Sequence, residues 1–130
     1  MSELRNNGQI QEIDYETAKA FAKQGKNLIL KPDYTYRALV IGCNIVSILG
    51  YKEKDNCIKL HCNYTPDQLR GNGYFSTLLK ETINSNCEKT FIADCLLASK
   101  NIYLKAGFEL VSIKHYKSFD IFKVQKRGLS

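Results

Sequence analysis

The residues that are best suited to bind a ligand lie in the stretch 66–79, PDQLRGNGYFSTLL. Two of the chain's eight glycines, Gly71 and Gly73, flank Asn72 there, between a β-rich run and a run with helical spacing. A glycine-rich turn lets the backbone approach a ligand because no Cβ stands in the way. The free N–H groups and positive dipole end of the following helix attract anions, and Arg70 adds a positive charge. The stretch therefore predicts a phosphate or pyrophosphate site.

A second stretch that could take part in a reaction is residues 99–108, SKNIYLKAGF. Its spacing predicts a short helix that ends at Gly107. Tyr103 lies in this helix and carries a phenol that can donate a proton. The same position also suits an ordinary half-buried aromatic residue on an amphipathic helix.

Together the two stretches resemble the GCN5-related N-acetyltransferase (GNAT) superfamily. In that family a strand–turn–helix with the pattern Gln/Arg-x-x-Gly-x-Gly/Ala, followed by a Leu-rich helix, binds the pyrophosphate of acetyl-CoA. A second register, which starts at Gln68, satisfies the pattern fully but shifts the helix by two residues. We prefer the register that starts at Arg70, because the pair Leu78 and Leu79 then falls where the family's helix packs on its sheet. The resemblance assigns acetyl-CoA binding to Arg70, Gly71, Asn72, Gly73, Tyr74 and Phe75.

The downstream stretch resembles the family's segment Ala-x-x-x-Tyr-x-x-x-Gly-Phe. The family's tyrosine often protonates the departing CoA thiolate, so the resemblance implies this role for Tyr103. Two positions depart from the family pattern: Phe75 replaces a Gly or Ala, and Leu96 replaces an Asn that many members carry. The resemblance covers roughly residues 36–113.

Acyl transfer to an amine also needs hydrogen-bond donors that polarise the thioester carbonyl. The resemblance implies backbone N–H groups at the end of the strand before the glycine-rich turn, at Cys62, Asn63 and Tyr64. Strand alternation predicts that Cys62 and Tyr64 share a face with Ile58 and Leu60. A covalent route through the Cys62 thiolate would need an adjacent base, and the sequence shows none.

The amine must also lose a proton, and several side chains are candidates for the general base. His61 and Lys59 share the other face of this predicted strand, opposite to that of Ile58 and Leu60. The ordinary pKa of His61 suits a general base. Asp94, at the end of the next strand, is the second catalytic candidate, and Glu53 and His115 stay open.

Length and composition favour one ordinary globular domain over residues 1–130. The chain is 44% hydrophobic and 25% charged, with a net charge of +6 that suggests an anionic partner. No apolar run approaches the roughly 18–20 residues of a membrane span, and the N-terminus is polar, so a cytoplasmic location is predicted. Five cysteines without a C-x-x-C pair predict neither a disulfide framework nor a metal site.

The expected fold class is α/β, in the α+β sense. Three β-rich runs with short connections predict an antiparallel meander, and helical and β-rich runs alternate after it. The result is a mixed, mostly antiparallel central sheet of about six to seven strands flanked by helices, which agrees with the GNAT fold. Strands are predicted at 9–13, 36–41, 45–51, 57–64, 90–93, 108–113 and 119–124, and helices at 15–24, 73–83 and 99–106.

The resemblance implies an N-acyltransferase that uses acetyl-CoA as acyl donor and an amine as acceptor. One alternative is a phage-type member of this fold that modifies nucleic-acid bases, which the short, basic chain and the segment IQEIDYETAKAFAKQ permit. Another is a non-catalytic module that binds CoA or a partner protein. The acceptor and a homodimer are left open by the sequence.

Overall fold

A computed structural model of the protein describes residues 8–23 and 29–128, without the side chain of Cys62. The described residues form one seven-stranded sheet in the order β1-β2-β3-β4-β5-β7-β6. Helices cover both faces of this sheet. The elements are β1 (Gly8–Ile13), α1 (Tyr15–Ala22), β2 (Thr35–Ile41), β3 (Asn44–Lys54), β4 (Cys57–Tyr64), α2 (Tyr74–Asn84), β5 (Thr90–Cys95), α3 (Leu97–Lys105), β6 (Glu109–His115) and β7 (Asp120–Lys126).

Strand pairing confirms the predicted mixed, mostly antiparallel sheet. Strands β1 to β4 form an antiparallel meander, and β6 and β7 form an antiparallel hairpin that joins β5 through β7. The pair β4–β5 is parallel. Parallel neighbours require a crossover, and α2 supplies it between these two strands.

The first helix begins after Asp14, a residue type that favours the N-cap position. The Asp14 side chain accepts a hydrogen bond of 2.8 Å from the backbone N–H of Thr17, which satisfies one free donor of α1. The described helix ends at Ala22, whereas the helix predicted over 15–24 continued to Gln24. Gln24 lies outside the described part of the chain.

Two apolar clusters hold the helices against opposite faces of the sheet. The larger cluster joins α2 and α3 to the sheet through residues such as Leu78, Leu79 and Tyr103. The smaller cluster joins α1 to the other face through Ala18 and Ala22. We call these the α2/α3 face and the α1 face.

The predicted alternation along β4 is wrong at its C-terminal end. Tyr64 lies opposite Ile48 and His61 lies opposite Gly50, so β4 has one more residue than β3 in this interval. This β-bulge reverses the alternation after His61. Tyr64 therefore packs on the α1 face, with its ring centroid 5.6 Å from that of Phe21, instead of joining Leu60.

The start of α3 also differs from the prediction. The helix begins at Leu97, two residues before the predicted start, and Leu96 at its N-cap makes no side-chain capping bond. Without a Ser, Thr, Asp or Asn cap, the sequence carries no local signal for this boundary.

Among the described residues, no helix combines the length and apolar character that crossing a membrane requires.

Candidate functional site

A gap opens where two parallel strands stop pairing. The pairing of β4 with β5 runs from Cys57 beside Thr90 to Leu60 beside Ala93 and ends there. Both strands continue beyond this point, β4 to Tyr64 and β5 to Cys95. The edge of β4 after Leu60 therefore has no ladder partner on β5, and its backbone groups can meet a ligand.

The bulge in β4 lies at this unpaired edge. The hydroxyl of Ser47 in β3 donates to the Tyr64 carbonyl at 3.5 Å and lies 2.8 Å from the Thr65 hydroxyl. These contacts fix the strand end on the side away from β5. Asn63 and Tyr64 both border the gap, while the Cys62 side chain lies outside the described part of the structure.

A cleft of about 480 Å³ extends from this gap to the N-terminus of α2. Most residues predicted to bind acetyl-CoA line it: Asn63, Tyr64, Arg70, Gly71, Gly73, Tyr74 and Phe75. The sequence reasoning missed a second set, of which four come from α3: Thr65, Leu69, Ser76, Ala98, Ser99, Ile102 and Lys105. Asn72 is not among the lining residues, and its side-chain amide donates to the Leu69 carbonyl at 3.0 Å.

The N-terminus of α2 forms the polar end of the cleft. Gly73 is the N-cap with φ 75° and makes no side-chain capping bond, and the first backbone bond runs from Thr77 N–H to the Gly73 carbonyl. The N–H groups of Tyr74, Phe75 and Ser76 precede that bond and have no acceptor within the helix. Gly71 and Gly73 both have positive φ, and a Cβ at either position would meet nothing within 4 Å. The arrangement is an open cradle for an anion.

Two cations flank this cradle. Arg70 braces the loop, since its Nε donates to the Thr65 carbonyl at 3.0 Å and its guanidinium lies 3.1 Å from Asp67 Oδ1. Lys105 reaches the cleft from the last turn of α3. Arg70 was singled out in the sequence, whereas Lys105 was missed because its position depends on how α3 packs over the sheet.

The two departures from the family pattern leave the cleft open. Phe75 is 7% exposed, and its ring packs against Tyr103 in the core beneath the cleft. Leu96 is 51% exposed and is not among the residues that line the cleft. Neither side chain blocks the approach to the helix N-terminus.

Tyr103 lies in the core layer under the cleft. Its ring meets those of Phe75 and Phe108 edge to face, at centroid distances of 5.9 and 5.2 Å. Burial raises the pKa of the Tyr103 phenol far above its usual range. Burial also raises the pKa of the neighbouring Cys95 thiol to about 11. Both groups therefore stay protonated near neutral pH.

His61 lies on the α1 face, next to the point at which β4 and β5 separate. Burial is the main cause that lowers the pKa of its imidazole, helped by the positive charges of Lys31 and Lys59 and opposed by Asp94. A hydrogen bond to the Ile29 backbone raises the same pKa, as donation from the ring to a carbonyl does. Its Nε2 is buried and has no hydrogen-bond partner among the described residues, so it presents a free lone pair.

The other candidate bases lie in different surroundings. Asp94 is exposed on β5 and belongs to the α1 face, since its neighbours Ala93 and Cys95 are buried on the other side. The structure therefore brings Asp94 and His61 to the same face, on the two strands that separate. By contrast, Glu53 forms an ion pair with Lys89.

His115 is also engaged away from the gap. Its Nδ1 lies 2.8 Å from Asp120 Oδ1 in the β6–β7 hairpin. The geometry thus favours His61 and Asp94 over Glu53 and His115 as groups near the separated strands.

Comparison with known proteins identifies the fold. No protein-family model matches the chain, and no match is found among curated protein sequences. Solved structures do match. The ribosomal-protein-S18-alanine N-acetyltransferase from Escherichia coli has a TM-score of 0.75 and 12% identity, over 95% of this chain and 96% of that one.

Two further structures give the same result. An acetyltransferase of the GNAT family from Streptococcus pneumoniae has a TM-score of 0.74 and 16% identity, over 92% of this chain and 98% of that one. An IAA acetyltransferase from Bacillus cereus has a TM-score of 0.71 and 11% identity, with the same coverage. The chain therefore has the GNAT acetyltransferase fold, as the two sequence segments predicted.

Proposed function

We propose that residues 1–130 form one N-acyltransferase domain that transfers an acyl group from acetyl-CoA to an amine. The observation that carries this proposal is the continuity between the anion cradle at the N-terminus of α2 and the gap between β4 and β5. One cleft thus combines a site for a pyrophosphate with the unpaired edge of β4, which can hold a thioester. The acetyltransferase fold supports the same chemistry by analogy.

The residues of the cleft fit a CoA ester. The N–H groups of Tyr74, Phe75 and Ser76 would bind the pyrophosphate, with Arg70 and Lys105 as counter-charges. Acetyl-CoA would supply an acyl group activated as a thioester. The backbone at Asn63, within the bulge in β4, would donate to the thioester carbonyl and stabilise negative charge on its oxygen.

The acceptor amine would approach from the α1 face. His61 is the proposed base, because its imidazole is held neutral and its Nε2 has no partner in the described part of the chain; the buried Nε2 would have to become accessible when the acceptor binds. Asp94 stands on the same face and would attract a cationic amine towards the gap. Tyr103 is the proposed donor of a proton to the departing thiolate, since burial keeps its phenol protonated.

Acetyl-CoA binding tests the donor site most directly. We would measure it by calorimetry for the wild type, Gly73→Asp and Gly73→Asn. Asp and Asn are nearly isosteric and tolerate positive φ similarly, so the pair separates charge from backbone strain. A carboxylate close to the pyrophosphate should weaken binding at least about tenfold in Gly73→Asp relative to Gly73→Asn. Equal affinity of the two variants, or no binding by the wild type, would overturn the proposed donor site.

Turnover separates an enzyme from a non-catalytic CoA-binding module. The wild type and His61→Gln would be incubated with acetyl-CoA and a panel of primary amines, and release of free CoA thiol would be followed. The proposal predicts amine-dependent release that His61→Gln reduces. Tight acetyl-CoA binding without release for any amine class, nucleic-acid amines included, would favour the non-catalytic module.

A further inference from the structure

A row of lysines crosses the α1 face of the sheet beside the gap. On β4, Lys59 alternates with Ile58 and Leu60, which are buried on the α2/α3 face, and Lys59 therefore lies on the α1 face. Lys123 alternates with the buried Phe122 and Val124 of β7, and Lys114 of β6 lies opposite Ile121 on the same face. All three lysines are exposed, and none makes an ion pair within residues 8–23 and 29–128.

The row has a direction. Lys59 pairs with Ile92, Lys123 pairs with Asp94, and Lys114 pairs with Ile121, two residues nearer to the β6–β7 turn than Lys123. Strand spacing of about 4.8 Å and a rise of about 3.3 Å per residue place successive lysine Cα atoms about 8–12 Å apart. From Lys59 to Lys114, the lysines lie progressively nearer to the end of the sheet at which β4 and β5 separate. The row passes beside Asp94.

An aromatic platform stands at the upper end of this row. The backbone N–H of Tyr116 donates to the Phe119 carbonyl at 2.8 Å and closes the β6–β7 turn. The two rings stack with centroids 5.0 Å apart and an interplanar angle of 18°, yet they stay 45% and 49% exposed. The Lys114 ammonium lies 5.4 Å from the centre of the Tyr116 ring.

Cations next to exposed, parallel aromatic rings suit a ligand with phosphates and flat bases. Phosphates would follow the lysines, and a base would stack on the rings, a contact that every base can make. An acidic peptide would use the lysines but would leave the platform without a partner. Two carboxylates share this face, Asp94 within the row and Glu109 at the far end of β6, so the positive charge is not uniform.

We propose that the α1 face of β4, β5, β7 and β6 binds a single-stranded nucleic acid, with phosphates on Lys59, Lys123 and Lys114 and a base on the Tyr116–Phe119 platform. Such a strand would run past the gap between β4 and β5. This surface rests on the proposed function only in that the strand would carry, or lie beside, the acceptor amine. Nucleic-acid binding itself needs no acyl-CoA.

The test is binding of a fluorescein-labelled mixed-sequence 12-nucleotide DNA, measured by anisotropy without acetyl-CoA over a range of salt concentrations. Lys59→Gln/Lys114→Gln/Lys123→Gln should lower the slope of log K against log salt by about 2, since each phosphate contact on a single strand contributes about 0.7. The matched control, Lys19→Gln/Lys23→Gln/Lys80→Gln, loses the same charge from helix α2 and from the C-terminal end of helix α1. It should keep the wild-type slope.

The platform has its own variants. Phe119→Ala should weaken binding at least about fivefold, and Phe119→Tyr should restore it, because stacking needs a ring and not a particular one. Circular dichroism and thermal melting would establish that each variant is folded. Equal slopes for the two triple variants would overturn the lysine row, and no effect of Phe119→Ala would overturn the platform.

Competition separates the ligand classes. Unlabelled single-stranded DNA should displace the probe at lower concentration than duplex DNA or poly-glutamate of equal charge. Displacement by poly-glutamate at equal charge would overturn the proposal in favour of an acidic protein partner. Loss of acetyl-CoA binding with retained oligonucleotide binding would remove the proposed enzyme but leave this surface, so the two proposals fail separately.

Discussion

Phe75 and Tyr103 meet edge to face, with ring centroids 5.9 Å apart, and so connect the first turn of the anion-binding helix to the third helix. Edge-to-face aromatic pairs add about 0.5–1.5 kcal/mol beyond the area that they bury. The contact holds the two walls of the cleft together. A large residue at position 75 is therefore accommodated in the core, where it supports the cleft.

Tyr103→Phe separates the catalytic and structural roles of this tyrosine. The variant keeps the ring contacts with Phe75 and Phe108 and removes only the hydroxyl. If the phenol protonates the leaving thiolate, kcat should fall about a hundredfold or more, the usual contribution of a positioned acid, with acetyl-CoA affinity and Tm unchanged. Steady-state kinetics and calorimetry would measure these quantities. Unchanged kcat would assign Tyr103 to packing alone.

The pH dependence of turnover identifies the base. His61 accepts a proton only when it is neutral, and burial together with Lys31 and Lys59 lowers its pKa below the ordinary 6.5. The value of kcat/KM should therefore rise with pH through an apparent pKa below 6.5 and level off above it. His61→Gln should lower the plateau and abolish this limb, whereas Asp94→Asn should retain it. A limb that survives in His61→Gln would transfer the role to another group.

The same histidine should make folding stability depend on pH. Its pKa is lower in the folded protein than in the unfolded chain, so between these two values the unfolded chain binds the extra proton. The stability is therefore fully present above about pH 6.5 and declines as pH falls towards the folded pKa. Urea unfolding of wild type and His61→Asn at pH 7.5 and 5.0 would measure the difference. An equal loss in both proteins would show that His61 does not contribute.

Much of the fold was predictable because its local signals agree with one another. Asp14 caps a helix, short polar turns join the first strands, and Leu78 and Leu79 mark the buried side of α2. The two chemical segments around Gly73 and Tyr103 likewise lie in the order and on the elements that the sequence predicted. These features depend on neighbours along the chain, which the sequence displays directly.

The features that were missed depend on tertiary contacts. The bulge after His61 inserts one residue into β4, and nothing in the hydrophobic pattern distinguishes it from regular alternation. The contributions of Ser99 and Lys105 to the cleft depend on the rotation of α3, whose apolar residues Leu97 and Leu104 are exposed and give no clear buried stripe. Packing on the sheet decides both outcomes.

Gly50 has no side chain, which allows β3 to pair closely with β4 beside the bulge. A Cβ at Gly50 would lie 2.7 Å from Tyr36 Cε2 and 2.8 Å from the His61 carbonyl oxygen. Neither neighbour can move freely, because Tyr36 is 1% exposed and its hydroxyl bonds to the Lys31 backbone at 2.8 and 3.0 Å, while the carbonyl belongs to β4.

Gly50→Ala should therefore lower the free energy of unfolding by about 1–3 kcal/mol, the usual effect of overpacking, whereas Lys54→Ala on the same strand should change it by less than about 0.5 kcal/mol. Because the clash bears on the His61 backbone and not on α2, turnover should fall more than acetyl-CoA affinity. Urea unfolding, calorimetry and steady-state kinetics on both variants would measure these effects. Wild-type stability in Gly50→Ala would mean that β4 has room to shift, and the position of His61 would then not depend on Gly50.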